Sequence, residues 1–476
     1  MSTVTKSCVK RASFGLVVLL LILLAEWTSG SAADDFAFVT TTDFFTGSAS
    51  TISLDGSYTV DKNVASIHSD ARARYYDGYI YVVNRKGADN IQVLDPNDDF
   101  ATVREFSVGA GSNPADIAFV SNTKAYVSRY DSVHIWIVNP STGIKIGTID
   151  MSSFADGDGL PEMDHMYIYG NRLFVAIQRL DRNSWTPVGT SYIAVIDVVA
   201  DTLIDTDPAT PGNQPIALSK ANPFSELQLD THSHRLYVSC VGFWGMQDGG
   251  VEVIDPHTVQ SLGIMLSEPA AGGDILDVEI VSPTKGYAVI ADADFYTVLI
   301  RFNPATGMKT GILYDPDDWV LDDTECAPTG VLFLADRTPT NPGIRLYDVT
   351  SDVEITSSPI DVGLPPSDIT FSINLPTGVR ILPPTTASLG QNYPNPFNPW
   401  TTVPFTLNGE AAVKLGIYDV TGRPVRTLVN RSFQAGEHKV RWDGTGDDGL
   451  LLSSGIYFAR LEFEGFIATK KLLLLK

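Results

Sequence analysis

The stretch Asn113–Gly143, NPADIAFVSNTKAYVSRYDSVHIWIVNPSTG, contains the unit that organises most of this sequence. Its pattern predicts a first strand over Asp116–Val120, a turn, a second strand over Ala125–Arg129 and a third strand over His134–Val138. The closing Asn-Pro-Ser-Thr-Gly is a tight-turn sequence, because Pro presets φ and Asn tolerates turn conformations. We therefore expect the chain to continue from this turn into a fourth strand of the same sheet.

The unit recurs with a period of about 50 residues, which is typical of propellers and solenoids. In each copy an acidic residue opens the first strand, and an aromatic or apolar second strand follows some ten residues later. The acids of the six full copies and of one partial copy are Asp70, Asp116, Asp164, Glu226, Asp277, Asp323 and Asp368. We call these seven side chains the ring acids.

The partial copy distinguishes an open array from a closed ring. Pro365–Ser372, PPSDITFS, repeats the first strand, but no second strand follows it. At the other end, Phe36–Thr41 and Ser50–Asp55 are typical of second and third strands, with a fourth near Tyr58–Val60. Joined, the two ends complete one four-stranded blade and remove exposed sheet edges. The sequence therefore predicts an all-β chain with a seven-bladed β-propeller over residues 34–373, closed by a shared blade.

Composition limits the partners. The 476 residues suit two or three domains, and the formal net charge is −23. Without residues 1–33 the charge is near −25, because that segment contains three basic residues and one acidic residue. Such a surface repels nucleic acid and anionic membranes but is compatible with cation binding. We therefore expect no nucleic-acid partner.

The first 33 residues have the pattern of a secretory signal peptide. Lys6, Lys10 and Arg11 form a basic segment, the apolar run Leu16–Leu24 follows, and small residues precede Ala33. The apolar run is short for a membrane span, which needs about 20 residues. We expect cleavage near Ala33 and no transmembrane segment in the remaining chain.

A second domain is expected at the C-terminus. Residues 374–390 are rich in Pro, Thr and Gly and are typical of an extended linker. Within residues 391–476, apolar side chains alternate at Val413, Leu415 and Ile417, which indicates a strand with one buried face. Six or seven such short strands in about 85 residues predict an immunoglobulin-like β-sandwich.

Three predicted second strands carry a family resemblance. YIYVVN (Tyr79–Asn84), KAYVSR (Lys124–Arg129) and RLYVSC (Arg235–Cys240) resemble the Tyr-Val-Thr-Asn β-propeller repeat family, which includes lactonase-like seven-bladed propellers. The resemblance covers about residues 36–372. It implies the architecture and does not identify an activity, because one propeller framework serves many functions.

Residues 391–476 resemble the type A C-terminal sorting domain of the type IX (Por) secretion system. The shared motifs are YPNPFNP at Tyr393–Pro399, Tyr-Asp-x-x-Gly-Arg from Tyr418, Trp-Asp-Gly from Trp442, Ser-Gly-x-Tyr from Ser454, and a closing basic and apolar strand. The resemblance implies that the type IX machinery is a partner. It also implies a secreted protein, extracellular or attached to the outer-membrane surface. An accessory domain without a targeting role is the alternative.

The ring acids are the first candidate site. The innermost strands of a propeller surround its central channel, so seven carboxylates could crowd one mouth of that channel. Like charges that close raise one another's pKa or recruit a cation, and oxygen ligands suit Ca²⁺ or another divalent ion. The alternative is that each carboxylate caps backbone N–H groups in its own loop. His68 and His165 lie near ring acids and are candidate general bases of a lactonase-like hydrolase or lyase.

The second candidate site is aromatic. Trp185 lies in the long loop Arg179–Ser191, and Phe243 and Trp244 lie in Val241–Gly250. Such loops decorate one face of a propeller, and loops carry function more often than frameworks. We expect these rings to form a ligand surface for a cell-surface glycan or protein. The leading hypothesis is a non-catalytic binding or scaffold protein; the alternatives are the propeller enzyme above and a structural surface-layer component.

Overall fold

The computed structural model of this protein describes residues 35–372 and 387–475, apart from 408–410, 421, 435, 448 and 464–465. The predicted signal peptide, and residues 374–386 of the predicted linker, lie outside the described residues. Within the described ranges, no helix combines the length and the apolar character that a membrane crossing requires.

Antiparallel four-stranded sheets build residues 36–372. Three strands come first: β1 (Phe36–Thr42), β2 (Gly47–Ser53) and β3 (Val60–Ile67). Blade 1 follows with β4 (Ala71–Tyr76), β5 (Tyr79–Asn84), β6 (Asn90–Asp95) and β7 (Ala101–Ser107). Blade 2 contains β8 (Pro114–Ser121), β9 (Lys124–Arg129), β10 (His134–Asn139) and β11 (Ile144–Asp150). The unit predicted from Asn113–Gly143 is confirmed in this blade.

The next two blades carry the long loops. Blade 3 contains β12 (Met163–Tyr169), β13 (Arg172–Ile177), β16 (Tyr192–Asp197) and β17 (Thr202–Leu203), with β18 (Ile216–Ala217) also pairing with β16. A small hairpin, β14 (Leu180–Asp181) and β15 (Thr186–Pro187), forms the loop between β13 and β16. Blade 4 contains β19 (Gln228–Asp230), β20 (Arg235–Cys240), β21 (Gly250–Asp255) and β22 (Gln260–Ser267), followed by the short helix α1 (Glu268–Ala271).

Two more blades and a single strand complete this part of the chain. Blade 5 contains β23 (Asp274–Ser282), β24 (Lys285–Ala291), β25 (Thr297–Asn303) and β26 (Met308–Tyr314). Blade 6 contains β27 (Leu321–Ala327), β28 (Val331–Asp336), β29 (Gly343–Asp348) and β30 (Val353–Glu354). The last strand, β31 (Pro366–Ser372), pairs with β1 in the order β3-β2-β1-β31. This sheet is blade 7, so the shared closing blade is confirmed.

Apolar side chains close the ring between neighbouring blades. Seven buried clusters each combine residues of two adjacent blades. The cluster between blades 7 and 1, for example, packs Phe38 and Ala49 of the closing blade beside Ile80 and Leu94 of blade 1. Fully burying such a side chain contributes about 1.5–3 kcal/mol. Because every blade has a packed neighbour on both sides, the described sheets form a closed seven-bladed β-propeller.

A hydrogen-bonded clasp recurs between blades. At the start of β9, Lys124 Nζ donates to the carbonyl of Val198 at 2.7 Å, and the Tyr126 hydroxyl donates to Asp201. Lys285 and Tyr287 repeat this arrangement with Val349 and Asp352 three blades later along the chain. The Lys-x-Tyr spacing places both side chains on one face of the strand, since strand side chains alternate with a period of two. The repeated Tyr therefore has a packing role between blades.

Antiparallel connectivity sorts the loops onto two faces. The chain enters each first strand on the same face on which second strands pass to third strands. The ring acids, the loop after β13 and the loop after β20 therefore share one face of the propeller, which we call the mouth face. The turns between first and second strands, and between third and fourth strands, lie on the opposite face.

The C-terminal strands form two facing sheets. The strands are β32 (Ala387–Leu389), β33 (Thr401–Leu407), β34 (Ala411–Tyr418), β35 (Pro424–Phe433), β36 (Gly436–Trp442), β37 (Gly455–Phe463) and β38 (Phe466–Leu474). One sheet has the order β32-β33-β36 and the other β35-β34-β37-β38, around a core that includes Phe405, Leu415 and Trp442. The domain prediction placed residues 387–389 in the linker, whereas they pair with β33 and belong to the sandwich.

The YPNPFNP motif lies along the free edge of β38. The backbone N–H of Phe397 donates to the carbonyl of Leu473 at 3.0 Å, and Leu475 N–H donates back to Phe397 at 2.9 Å. Asn395 Oδ1 accepts the N–H of Leu473 at 2.9 Å. An exposed strand edge would invite pairing with another chain. The motif therefore fixes the last strand and satisfies part of its edge.

Candidate functional site

The ring acids lie at or near the start of the first strands. Asp116 Oδ1 accepts the N–H of Ile117 on its own strand at 2.8 Å, which resembles the local capping of the alternative prediction, but the ring acids also accept N–H groups across blades. Four of them accept a backbone N–H from the first strand of the next blade. Asp277 Oδ2 accepts from Thr324 at 2.8 Å, and Asp323 Oδ2 accepts from Ile369 at 2.7 Å. Asp116 and Asp368 bind Met166 and Ala73 in the same way, both at 2.9 Å. These carboxylates therefore link neighbouring first strands by hydrogen bonds around the channel.

Two arginines of β4 pair with ring acids of blades 2, 3, 4 and 7. Arg74 Nε lies 2.9 Å from Asp116, its Nη2 lies 2.6 Å from Glu226, and its Nη1 lies 4.0 Å from Asp368. Its neighbour on the same strand face, Arg72, pairs with Asp164 at 2.7 Å. Charge-assisted contacts of this kind stabilise the ionised carboxylate. The sequence analysis did not identify either arginine.

The arginines do not offset burial equally at their partners: burial raises the pKa of Asp116 and of Asp368 despite the charge of Arg74, whereas Asp164 stays acidic. Burial alone would raise the pKa of Asp164, but the guanidinium of Arg72, with His165 and Arg85, lowers it to about 2. Gln178 also donates to Asp164, at 3.2 Å. We call this side of the channel, formed by Arg72, Arg74 and their partners in blades 2 to 4, the arginine wall.

The facing side carries carboxyl groups without basic partners. Asp277 and Glu279 project from β23, and Asp323 and Glu325 project from β27, two residues apart on each strand. Burial, followed by the charge of nearby carboxylates, raises the pKa of Asp323, Glu279 and Glu325 well above the usual range and that of Asp277 to about 7. Among the described residues, none of the four has an ion pair with Lys, Arg or His. We call these four side chains the acid wall.

Neither candidate histidine forms a hydrogen bond to the carboxylate of a ring acid. His165 Nε2 lies 3.8 Å from Asp164 and its Nδ1 lies 3.9 Å from Glu226, which is beyond hydrogen-bond reach. Burial and the charge of Arg72 hold the pKa of His165 well below its ordinary value. His68 Nδ1 accepts the backbone N–H of Asp70 at 3.1 Å instead of contacting its carboxylate.

A cavity of about 790 Å³ opens at the mouth face, and most ring acids form its floor. Asp70, Asp164, Glu226, Asp277, Asp323 and Asp368 all line it, together with Arg72, Arg85 and Arg337. Asp116 is not among the lining residues and is only 1% exposed. The structure therefore brings six of the seven predicted ring acids into one cavity.

Aromatic rings form the rim of the same cavity. The predicted residues Trp185 and Trp244 line it and are 47% and 38% exposed, whereas Phe243 is exposed beside it without lining it. Phe44 and Phe224 also line the rim. The sequence analysis missed these two, although Phe224 stands two residues before Glu226 and its proximity to a ring acid was a usable signal.

The loop that carries Trp244 is held in place by buried acids. Gly245 N–H donates to Asp274 at 2.6 Å, and Gly249 N–H donates to Glu268 at 2.6 Å. At Gly242 the backbone has a φ of 63°, and a Cβ there would lie 2.1 Å from an oxygen of Asp248. Glycine is therefore required at this turn. These contacts indicate a preformed loop.

The divalent-cation hypothesis for the ring acids stays a prediction. In the described ranges, no group of three or more His, Cys, Asp or Glu side chains is arranged to hold a metal ion. The guanidinium groups of Arg72 and Arg74 supply positive charge at Asp164, Asp116 and Glu226. The carboxyl groups that lack such charge are those of the acid wall.

The two cysteines that follow the predicted leader are both free thiols. Cys240 is buried and Cys326 is half-buried. Burial raises the pKa of Cys240 well above its ordinary value, so this thiol is protonated and unreactive at neutral pH. Neither cysteine forms part of the cavity lining.

Comparison with known families identifies the C-terminal domain at a coarse level. Residues 400–463 match the FlgD Ig-like domain family. This match lies within the two-sheet sandwich and confirms the predicted immunoglobulin-like fold. A search of curated proteins gave no significant match to the sequence. The resemblances to the Tyr-Val-Thr-Asn repeats and to the type IX sorting domain stay predictions.

Several solved structures are distantly similar. PorZ of Porphyromonas gingivalis, an essential surface component of its type IX secretion system, shares 13% identity over 91% of this chain and 64% of its own length, with a TM-score of 0.40. AztD from Citrobacter koseri shares 15% identity over 71% of this chain and 97% of its own, with a TM-score of 0.42. A putative 6-phosphogluconolactonase from Bacteroides fragilis shares 12% identity over 71% and 98%, with a TM-score of 0.49. Because these identities and TM-scores are low, the fold is assigned from the sheets of this chain and not from the similar structures.

Proposed function

We propose that this chain is a secreted, surface-attached binding protein whose propeller presents its mouth face to a ligand. The observation that carries the proposal is a cavity of about 790 Å³ with Trp185 and Trp244 on its rim and ring acids on its floor. Exposed clusters of large apolar side chains mark interaction sites, and cavities of about 300–1,000 Å³ are typical of ligand pockets. A cell-surface glycan or protein segment is the expected ligand.

The same geometry favours binding over catalysis. A general base must lie within about 2.6–3.2 Å of the group it serves, or reach it through one water. His165 is only 4% exposed and stands 3.8 Å from Asp164, whose oxygen is bound by Arg72 at 2.7 Å. A lactonase-like hydrolysis through this pair would require the arginine to move first.

We propose further that residues 391–476 direct type IX secretion and surface attachment. Two motifs of the resemblance, YPNPFNP and the closing strand β38, contact each other through Phe397 and Leu473. One receptor could therefore recognise both at once on a folded domain. The core around Trp442 is separate from the propeller clusters, which suits a domain that is recognised independently of its cargo.

Delivery is tested by expressing the chain with and without residues 391–476 in a bacterium that has a type IX system. We expect the full chain to be cleaved by protease added to intact cells and the shortened chain to stay protected in the periplasm. Resistance of the periplasmic propeller to trypsin would show that it is folded. Normal surface exposure of the shortened chain would contradict the sorting role.

Binding is tested on the mature full-length protein with an immobilised panel of bacterial surface polysaccharides and of basic, neutral and acidic peptides. We expect at least one probe to be retained, and retention to be lost when Trp185 and Trp244 are both replaced by Ala. Trp400→Ala is the matched control, because Trp400 is 44% exposed on the C-terminal domain. Self-association without retention of any probe would instead favour the surface-layer alternative.

A further inference from the structure

The cavity at the mouth has an electrostatic asymmetry that the proposed function does not explain. On one side, Arg72 neutralises Asp164 at 2.7 Å. On the other side, Asp277 and Asp323 line the cavity without any basic partner among the described residues. Buried carboxylates that face one another without a cation are unfavourable when ionised. A positively charged group of a ligand would therefore stabilise the ionised form of these carboxyl groups.

An aromatic cluster stands on the rim on the same side as the acid wall. Trp244 contacts Phe224 edge-on, with ring centroids 5.4 Å apart, and approaches Trp319 with centroids 6.2 Å apart. The three rings come from the entry to blade 4, the second loop of blade 4 and the entry to blade 6, and all are more than a third exposed. Their faces carry negative electrostatic potential, which attracts cations, and their apolar surface suits methylene groups.

Among the described residues that line the cavity, two buried side-chain atoms lack a hydrogen-bond partner, Arg85 Nε and Asn222 Oδ1, and only the second is an acceptor. Asn222 is 2% exposed and lines the cavity two residues before Phe224. Its backbone N–H donates to Ser191 Oγ at 2.9 Å, its carbonyl accepts from Val241 at 3.0 Å, and its side-chain amide donates to Gly242. Only Oδ1 has no hydrogen-bond partner. A buried acceptor left unpaired is unfavourable, so this atom calls for a donor from a ligand.

We infer that the mouth cavity binds an organic cation, an ammonium or guanidinium group carried on an apolar stem. This inference rests on the proposed function and names its ligand class. The cationic head would reach the carboxyl groups of Asp277 and Asp323, and the stem would pack against Trp244 and Trp319. Asn222 Oδ1 supplies one more acceptor for the N–H groups.

Charge complementarity extends beyond the cavity. Residues 34–373 contain 47 Asp and Glu against 19 Lys and Arg, whereas residues 391–476 contain 8 against 10. The acidic excess therefore lies entirely in the propeller and attracts cations toward it over distances of about a Debye length. A neutral sugar would leave Asp277 and Asp323 unpaired, and a bare metal ion would leave the rings without a partner.

The same chemistry has two sources, a basic side chain displayed on a peptide and a free amine. Isothermal titration calorimetry at pH 8 and low salt distinguishes them with two probes, Nα-acetyl-lysine amide and cadaverine. Nα-acetyl-norleucine amide and n-pentanol are their neutral counterparts, and CaCl2 represents a bare cation. All are titrated into the mature full-length protein.

We expect at least one amine to bind at least tenfold more tightly than its neutral counterpart. Asp323→Asn keeps the acceptor for Ile369 N–H but removes the charge, so it should weaken binding at least tenfold, as should Trp244→Ala. Asp98→Asn, on the opposite face of the propeller, and Trp400→Ala on the C-terminal domain are the matched controls and should leave binding unchanged.

The outcomes separate this inference from the proposed function. Equal affinity for the neutral probes, with loss in Trp244→Ala, would overturn the cation inference and leave the aromatic binding face intact. Saturable Ca²⁺ binding that is lost in Asp323→Asn would overturn it in favour of a metal site. Absence of amine binding to folded wild-type protein would overturn it outright. The comparison of each amine with its neutral counterpart uses wild-type protein. It therefore tests the inference even where a variant fails to fold.

Discussion

The arginine wall and the acid wall belong to the same ring of repeats, yet only the carboxylates of the arginine wall have guanidinium partners among the described residues. Arg74 contacts Asp116 and Glu226 within 3 Å, whereas in the described ranges no guanidinium pairs with Asp277 or Asp323. The repeat therefore fixes the position of each acid, whereas its ion-pair partner depends on the residue that faces it. A symmetrical scaffold thus supports an asymmetric channel.

The largest expected effect comes from removing the arginine that serves three acids. Arg74→Met leaves Asp116, Glu226 and Asp368 without their cation, and Asp116 is 1% exposed. Breaking a buried ion pair by removing one partner costs about 3–5 kcal/mol. We expect that loss in chemical unfolding at pH 7.

Lys62→Ala is the control for Arg74→Met, because the Lys62–Asp361 pair is 41% and 63% exposed. Exposed pairs contribute about 0–1 kcal/mol, so this variant should unfold almost as the wild type does. Equal stability of the two variants would show that the ion pairs of Arg74 contribute no more to the free energy of unfolding than an exposed pair does.

The acid wall predicts a particular dependence of stability on pH. The pKa of Asp277 is about 7 in the folded protein and 3.8 when the side chain is not buried, as in the unfolded chain. Between these two pH values the folded state therefore binds more protons than the unfolded state. Stability from this group is fully present below pH 4 and is lost as the pH rises through 7. We expect the free energy of unfolding to fall by about 3 kcal/mol between pH 5 and pH 8, since one pKa unit corresponds to about 1.36 kcal/mol.

The arginine wall supplies the comparison for this pH experiment. The pKa of Asp164 is lowered to about 2, so its contribution is present above pH 4 and is lost only as the pH falls through 2. Asp164→Asn should therefore keep the slope between pH 5 and pH 8, and Asp277→Asn should reduce it. A wild-type stability that rises with pH over this range would contradict the description of the acid wall.

The same substitution should have opposite signs on the two walls. At pH 8, Asp164→Asn leaves Arg72 buried without a counter-ion and should destabilise the protein by about 1–3 kcal/mol. Asp323→Asn removes a carboxylate that has no cation and should be neutral or stabilising by about 1 kcal/mol. Thermal and urea unfolding measure both. Destabilisation of similar size at the two positions would remove the distinction between the walls.

Much of the fold was predictable because it depends on local patterns. The strands around Asp116 follow from alternation and turn residues, and the partial copy at Pro365–Ser372 sufficed to predict the closing blade. The pairing of β31 with β1 could be predicted from the number of strands at the two ends of the propeller sequence. The small strand β32 was missed, because three residues next to a segment rich in Pro show no alternation.

The chemistry of the site was less predictable, because it depends on contacts across the channel. Arg72 and Asp164 are 92 residues apart in the chain, and no local pattern connects them. The spacing of Arg72 and Arg74 by two residues, directly after Asp70, was the available signal for two channel-facing cations. The alternative prediction for the ring acids was that each carboxylate accepts backbone N–H groups of its own loop. Asp277 and Asp323 instead accept N–H groups from the next blade, which lies close enough only because the ring curves. Trp185 and Trp244 were found because long loops stand out in a regular repeat.

The most direct test of the account is proton release when an organic cation binds. Binding of the tighter of the two amines, cadaverine or Nα-acetyl-lysine amide, to the mature protein is measured by calorimetry at pH 7 in buffers of different ionisation enthalpy. Protonated carboxyl groups of the acid wall should ionise as the ammonium group arrives, because a nearby positive charge lowers their pKa. The account predicts a net release of protons that disappears in the Asp277→Asn and Asp323→Asn double variant. Binding without proton release in wild-type protein would contradict it.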